Sequence, residues 1–398
     1  METSELRELL TPEALGLLSH LPPSDGAPDA VRLVSRLRKE GHPPERVAAV
    51  LTQYRLRRKA RRKFGAFAER MLFTAPGLEQ ASRLAVAAQH AGRFRDAGLT
   101  SVADLGCGIG GDSMAFAALD LRVIAIERDE PTAAIASYNL APWAETTVEL
   151  GDAMAFDVER AEGLWLDPAR RAGARRLTSP DDFSPSLDAA LAFAERRPTG
   201  IKLAPGMDRG LLPEGLEAQW VSDGGEVVEL VLWSGALARP GVGRAALVLG
   251  PLGSDGPHGS SELVAPEDSA DAEPGILGEY LYEPDGAVIR ARLIGDLARR
   301  LEGRMLDATI AWITADELTP TPFARVFRVL ERWPLDAKRI GRELTQRGIG
   351  TIEIKKRGVD IDPAAFRKQL KPRGEAAATL VLTRIAGARA ALLVERCD

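Results

Sequence analysis

Val102-Ala103-Asp104-Leu105-Gly106-Cys107-Gly108-Ile109-Gly110-Gly111-Asp112 joins an apolar run to a cluster of glycines. A second apolar run, Val123-Ile124-Ala125-Ile126, ends on Glu127. A glycine-rich turn lets the backbone approach a ligand that side chains would block. An acid about 20 residues further on suits a pair of ribose hydroxyls. The pairing predicts a strand, a turn and a helix that hold a nucleoside cofactor.

Around this stretch, residues 98–250 alternate short β-rich runs with helical stretches. Strands are expected at 101–105, 122–127, 146–150, 163–167, 199–203, 226–233 and 245–249. The intervals between the early strands are long enough for crossover helices, which implies an α/β fold with a parallel, doubly wound (Rossmann-like) sheet. Residues 226–233 and 244–249 flank a Gly/Pro-rich stretch and read as a closing antiparallel pair. Residues 1–97 carry apolar residues at helical spacing, for example Val47, Val50, Leu51 and Tyr54, with one break from Pro22 to Pro28. Residues 251–278 are rich in Gly, Pro and Ser, and their acids have no Lys or Arg in the same stretch. They read as a flexible linker. Residues 279–398 form a third, α+β region, with a helix over Ala287–Leu301 and strands over Gly350–Lys355, Ala377–Arg384 and Ala390–Glu395.

Composition bounds the chemistry. With 398 residues, 45% of them apolar, the chain has enough material for two or three cores. A net charge of −5 argues against a nucleic-acid binder overall, so any such surface is local. Two cysteines, Cys107 in the turn and Cys397 at the tail, exclude a disulfide framework and a cysteine-rich zinc site. His20, His42, His90 and His258 show no metal-ligand spacing, so no metal is expected. No run approaches the roughly 18 apolar residues of a membrane span, and the first residues are charged. A cytoplasmic protein without a membrane partner is expected.

Gly106-x-Gly108-x-x-Gly111 satisfies the dinucleotide fingerprint literally. Three features favour S-adenosylmethionine. Asp104, two residues before the first glycine, would repel a phosphate but suits the ammonium of a methionine moiety. Gly110 creates the nearer match G-x-G-x-G. Gly151-Asp152, after the third strand, offers an acid to an adenine amine. The stretch Val102–Asp167 resembles the class I S-adenosylmethionine-dependent methyltransferases. That resemblance implies Asp104, Gly106, Gly108 and Gly110 at the methionine end, Glu127 on the ribose and Asp152 near the adenine.

Leu164-Trp165-Leu166-Asp167-Pro168-Ala169-Arg170-Arg171 ends the fourth strand. Ligands of open α/β sheets lie beyond the carboxyl ends of strands, which places Asp167 near the transferred methyl. Methyl transfer needs alignment first and a proton acceptor second. Asp167 suits the acceptor, Pro168 the rigid turn and Arg170 with Arg171 a phosphate clamp. The segment resembles the D-P-P-aromatic motif of amino-group methyltransferases, but Ala169 and Arg170 stand where a proline and the base-stacking aromatic belong. Neither cysteine is placed as a carbon-5 nucleophile. Lys202-Leu203-Ala204-Pro205-Gly206, after the fifth strand, is a second rim candidate.

Two basic segments suit nucleic acid. Tyr54–Lys63 has seven basic residues in ten, with Arg55, Arg58 and Arg62 on one helical face and Phe64 and Phe67 following. Lys338–Arg373 has eleven basic and four acidic residues, and its Gly348–Gly358 loop-strand-loop ends on Lys355, Lys356 and Arg357. The region from Glu279-Tyr280-Leu281-Tyr282-Glu283-Pro284-Asp285 through Ile354–Gly358 resembles the THUMP-like domain of certain bacterial methyltransferases, and Phe73-Thr74-Ala75-Pro76-Gly77-Leu78-Glu79-Gln80 fits the same family. THUMP domains proper bind RNA, so the resemblance implies an RNA-associated methyltransferase with structured RNA as its partner. A methyltransferase of proteins or small molecules, and a non-catalytic RNA-binding protein on the same scaffold, are the rival readings.

Overall fold

The computed structural model describes residues 3–21, 30–170, 183–250 and 259–397. The expected break at Pro22–Pro28 lies outside them. Two compact units result, one of Met1–Leu216 with Val231–Arg239, the other of Glu217–Leu230 with Pro240–Asp398.

The first unit opens with helices Thr3–Leu9, Pro12–His20, Ala30–Lys39, Pro44–Phe64, Ala75–Gln80 and Leu84–Asp96. Its strands are β1 (Ser101–Leu105), β2 (Arg122–Glu127), β3 (Thr146–Leu150), β4 (Gly163–Leu166), the short pair β5 (Ala169–Arg170) and β6 (Phe183–Ser184), and β7 (Thr199–Leu203). The order β7-β4-β1-β2-β3 is parallel throughout. All five residues of β1 are buried, which is why this central strand reads as a continuous run rather than an alternation. Helices Gly111–Ala118 and Glu130–Leu140 make the crossovers to β2 and β3. Asp129 starts the second of these by accepting the Thr132 N–H at 3.1 Å, with Pro131 in the first turn.

Aromatic packing fixes the core. Phe94 and Phe116 meet edge to face with centroids 5.0 Å apart, and Trp165 on β4 lies 5.8 Å from Trp233. A Cβ on Gly200 of β7 would come within 2.7 Å of both indoles. The backbone of β7 therefore approaches the tryptophans as closely as a side chain would.

The second unit holds β8 (Glu217–Asp223), β9 (Glu226–Trp233), β10 (Arg244–Leu249) and β11 (Ser260–Ala265). The last three residues of β9 belong to the first unit, next to β7. Gly224 and Gly225, both at positive φ (62° and 83°), turn β8 into β9. The order is β9-β8-β10-β11, so β9 and β10 do not form the closing pair expected from the sequence. β10 runs parallel to β8 and antiparallel to β11. The reason is chemical. β8 is buried along its whole length yet carries Glu217, Gln219, Ser222 and Asp223, so it shows no apolar pattern. Its polar groups are bonded inside: Gln219 Nε2 donates to Glu262 at 2.5 Å and Ser222 Oγ to Asp285 at 2.9 Å.

The supposed linker 251–278 is also corrected in part. Residues 251–258 lie outside the described residues, but β11 is a paired strand, and Asp268 accepts from Arg244 at 2.7 Å. Beyond it, β12 (Tyr280–Pro284), β13 (Arg304–Asp307), β14 (Ile310–Ala315), β15 (Ala324–Pro334), β16 (Ile349–Lys356), β17 (Ala376–Ile385) and β18 (Ala388–Cys397) form a sheet of order β13-β14-β12-β15-β18-β17-β16. Only β16 and β17 pair in parallel there. The expected helix Ala287–Leu301 is two pieces, Gly286–Arg290 and Ile294–Arg300, because Arg292 takes a left-handed φ of 60° between them. Helices Ala337–Gln346 and Pro363–Leu370 bury Ile340, Leu344, Phe366 and Leu370 against Trp333, Ile352 and Leu380.

Candidate functional site

The glycine turn after β1 has the backbone its composition demands. Gly106, Gly108 and Gly110 adopt φ of 101°, 56° and 84°, and Gly110 is the left-handed cap of helix Gly111–Ala118. The Gly106 and Cys107 N–H groups both donate to Ile126 O at 3.0 Å, which ties the turn to the end of β2. Gly110 N–H closes it on Cys107 O at 2.9 Å. Burial pushes the Cys107 thiol well above its usual range, so Cys107 is filler in the turn.

Glu127 ends β2, half-buried. Its Oε2 accepts the Gly108 N–H at 3.1 Å and its Oε1 the Asp129 N–H at 2.9 Å. The carboxylate is thus oriented by the turn it follows, and its remaining lone pairs suit hydroxyl donors. Asp152, after β3, is exposed and accepts the Met154 N–H at 2.9 Å, so part of its work is to cap a local turn.

Asp104 is 1% exposed and accepts from Ser113 Oγ at 2.5 Å. Burial, followed by the Asp112 charge, pushes its carboxyl up to about 8, against the Ser113 hydrogen bond. A second buried carboxyl lies beside it. Asp112 accepts from Ser82 Oγ at 2.9 Å and pairs with His90 Nδ1 at 2.8 Å. Burial alone would raise Asp112, but the hydrogen bond and charge of His90 outweigh it and hold the carboxyl below its ordinary value. His90 is itself fixed against Trp165, with ring centroids 4.3 Å apart.

Asp167 follows β4 directly and is partly exposed, while Pro168 is buried. Lys202 on β7 donates to Asp167 Oδ2 at 2.7 Å and to Ser82 Oγ at 3.0 Å. Lys202 therefore links the rim carboxylate to the Ser82–Asp112–His90 chain. A Cβ on Gly106 would meet Asp167 O at 3.7 Å, so the glycine turn and the β4 exit are neighbours. The structure brings Asp104, Gly106, Gly108, Glu127 and Asp167 to one sheet edge. Arg170 belongs to β5, but its side chain, like all of Arg171, lies outside the described residues.

The Met71–Gly77 segment is strapped over the turn. Gln53 Nε2 donates to Phe73 O at 2.8 Å and its Oε1 accepts Phe73 N–H at 2.9 Å. Arg57 Nε donates to Met71 O at 2.9 Å. Asn139 accepts Leu72 N–H and donates to both Leu72 O and Ile109 O, at 2.8, 3.0 and 2.8 Å. A Cβ on Gly77 would come within 2.5 Å of Ile109 in the turn. Sequence reasoning missed Gln53, Ser82, His90, Asp112 and Asn139. For Gln53, His90, Asp112 and Asn139 the available signal was a polar residue on a helix, which by itself does not name its partner, and Ser82, in the loop before helix Leu84–Asp96, carried no such signal.

The basic candidates divide. Arg55, Arg58 and Arg62 are exposed on the C-terminal half of helix Pro44–Phe64, away from the buried Arg57, Ala60 and Phe64. Lys63 is not part of that face. Its Nζ donates to Leu78 O, Glu79 O and Ala81 O at 2.9, 2.7 and 2.6 Å. The Lys355–Lys356–Arg357 stripe needs correction. Lys355 Nζ donates to Glu283 at 2.8 Å and lies 5.6 Å from the Phe327 ring. Arg357 donates to Ala311 O at 2.7 Å and covers Trp312 at 5.5 Å. Both are spent within the sheet, because alternate strand residues face its packed side. Only Lys356 is exposed.

The residues at the β1–β2–β4 edge fit S-adenosylmethionine. Asp104 is a buried carboxyl whose charge a ligand ammonium would restore, and the turn beside it is free of side chains at Gly106 and Gly108. Among the described residues, no helix is long and apolar enough to cross a membrane.

Comparison with known proteins bears on both units. Residues 324–396 match the family model "THUMP domain-like" and residues 2–60 match a domain of unknown function (DUF8688). Two Mycobacterium tuberculosis proteins, from strains CDC 1551 and H37Rv, are each described as an uncharacterized S-adenosylmethionine-dependent methyltransferase. Each is 33% identical to this chain over 338 residues, 83% of this chain and 90% of the relative. A Porphyromonas gingivalis W83 protein designated a methyltransferase has the same fold, with a TM-score of 0.73 at 22% identity over 99% of this chain and 98% of its own. This chain belongs to the S-adenosylmethionine-dependent methyltransferases.

Proposed function

We propose that this enzyme methylates RNA. One observation carries the RNA reading: a THUMP domain-like region, residues 324–396, shares the chain with the methyltransferase. The exposed Arg55, Arg58 and Arg62 face on the first unit supports it.

In this reading the cofactor lies along the carboxyl edge of β1, β2 and β3. Asp104 takes the methionine ammonium, Gly106, Gly108 and Gly110 admit the methionine end, Glu127 holds the ribose hydroxyls and Asp152 approaches the adenine amine. Bound there, S-adenosylmethionine supplies an electrophilic methyl carbon. Asp167 faces the acceptor and takes the hydrogen bond, then the proton, of the attacking group. Pro168 stiffens the β4 exit so that this carboxylate stays aligned. Lys202, bonded to both Asp167 and Ser82, keeps the carboxylate from swinging out to solvent. The test is transfer of labelled methyl from S-adenosylmethionine, by the purified chain, into total RNA and total protein from cells lacking it. Label in RNA is expected. Label confined to protein, or absent from both, refutes the RNA acceptor.

A further inference from the structure

The second unit distributes its positive charge unevenly. Lys355 and Arg357 are consumed by Glu283 and by the Phe327 and Trp312 rings. By contrast, Lys338, Arg339 and Arg342 on helix Ala337–Gln346 are exposed. So are Arg367 and Lys368 on helix Pro363–Leu370, and Lys371 and Arg373 just after it. None of these seven side chains has an ion-pair partner among the described residues. The acids of the same helices are occupied. Glu343 binds Arg347 at 2.5 Å, and Asp336 and Asp362 accept the N–H groups of Arg339 and Ala365 as helix caps. Asp360 and Glu375, in the flanking loops, are the other exposed acids beside them.

The two helices touch. A Cβ on Gly341 would come within 2.8 Å of Leu370 O, so Arg342 and Lys371 each adjoin a contact residue. The apolar sides of both helices are already buried, through Ile340, Leu344, Phe366 and Leu370. Membrane-surface helices need an apolar face to insert, and these have none to spare. Phe366, the one aromatic on the pair, is buried, so no ring is offered for base stacking. What remains is charge, and four of the seven cations are arginines, whose forks match phosphate oxygens two at a time.

We infer that the outer face of helices Ala337–Gln346 and Pro363–Leu370 grips the phosphate backbone of RNA. The inference rests on the RNA reading above and moves the contact from the β16 exit to this helix pair. Contacts of this kind position the nucleic acid without reading its bases. Binding is therefore tolerant of sequence and steeply dependent on salt.

The experiment is fluorescence anisotropy of the full chain with labelled transfer RNA over a salt series. An Arg339→Ala/Arg342→Ala/Arg367→Ala variant is compared with Arg55→Ala/Arg58→Ala/Arg62→Ala. Each lost phosphate contact flattens the log–log salt slope by about 0.7–0.9, so the helix-pair variant flattens it by about 2 to 3. Unchanged circular dichroism and thermal unfolding of the whole chain show that the variant is folded. If the unmutated chain binds RNA and the helix-pair variant keeps its affinity and slope, this surface is wrong and the RNA reading stands. If the unmutated chain binds no RNA at any salt, both fall. Binding to phosphatidylserine vesicles that RNA does not compete away assigns the face to membrane instead and overturns the inference.

Discussion

In the proposed pose, Asp104 moves the pH dependence of cofactor affinity up to the neutral range, well above that of an ordinary carboxylate. Its carboxyl is pushed from an ordinary 3.8 up to about 8, first by burial and then by Asp112. At pH 7 about one site in ten is ionised, because each pH unit below the pKa is a factor of ten, ~1.4 kcal/mol. In the proposed pose the ligand ammonium needs the ionised form. The dissociation constant for S-adenosylhomocysteine should therefore tighten about tenfold from pH 6 to pH 7, and level off above about pH 8. Binding at pH 7 should release nearly one proton, measurable by calorimetry in buffers of different ionisation enthalpy. The free protein shows the complementary effect. A carboxyl raised on folding holds its proton more tightly in the native state, so its contribution to stability is full below about pH 4. That contribution is lost as pH rises through the folded value of about 8. Asp104→Asn should abolish both slopes and weaken ligand binding above pH 8. A flat pH profile in the unmutated chain, or an undiminished slope in Asp104→Asn, would refute the assignment of Asp104 to the ammonium.

Other expectations follow from single contacts. Asn139→Ala strands Leu72 N–H, Leu72 O and Ile109 O in the interior and should cost about 3 kcal/mol in denaturant unfolding; a loss under about 0.5 kcal/mol would show that the strap does not depend on Asn139. Gly200→Ala sets a methyl within 2.7 Å of Trp165 and Trp233 and should destabilise by about 1–3 kcal/mol or more, read as a fall in Tm. Asp167→Asn should leave S-adenosylhomocysteine affinity within about threefold but slow methyl transfer by about a hundredfold or more; transfer at the normal rate would remove Asp167 from the reaction.

The glycine turn after β1 is legible in the sequence because it is local. Asp104, Gly106, Gly108 and Gly110 sit within seven residues, and the backbone conformation they need is one that glycine alone adopts freely. The strand β1 and its neighbours are equally legible, since strands buried on both faces read as apolar runs. β8 was hidden for the converse reason. Glu217, Gln219, Ser222 and Asp223 are buried with partners such as Glu262 and Asp285, which lie more than forty residues away. Its presence alone separates β9 from β10 and cancels the expected hairpin. The pieces of helix 287–301 likewise turn on a left-handed Arg292, which helical spacing does not disclose.

Side-chain charge shows the same division. Composition along 338–373 establishes an excess of basic residues, and helical spacing groups Arg55, Arg58 and Arg62. Which cations are available is a matter of tertiary contact. Lys355 and Arg357 are neutralised by Glu283 and by rings on other strands, while Arg339, Arg342 and Arg367 stay open. Lys202 gains its place because β7 lies next to β4, which puts its ammonium 2.7 Å from Asp167. Residue type and local spacing decide backbone conformation and amphipathic faces, since those depend on neighbours in the chain. Strand pairing, burial and the ion pair of Lys202 with Asp167 depend on groups distant in sequence, and the folded structure alone brings those together.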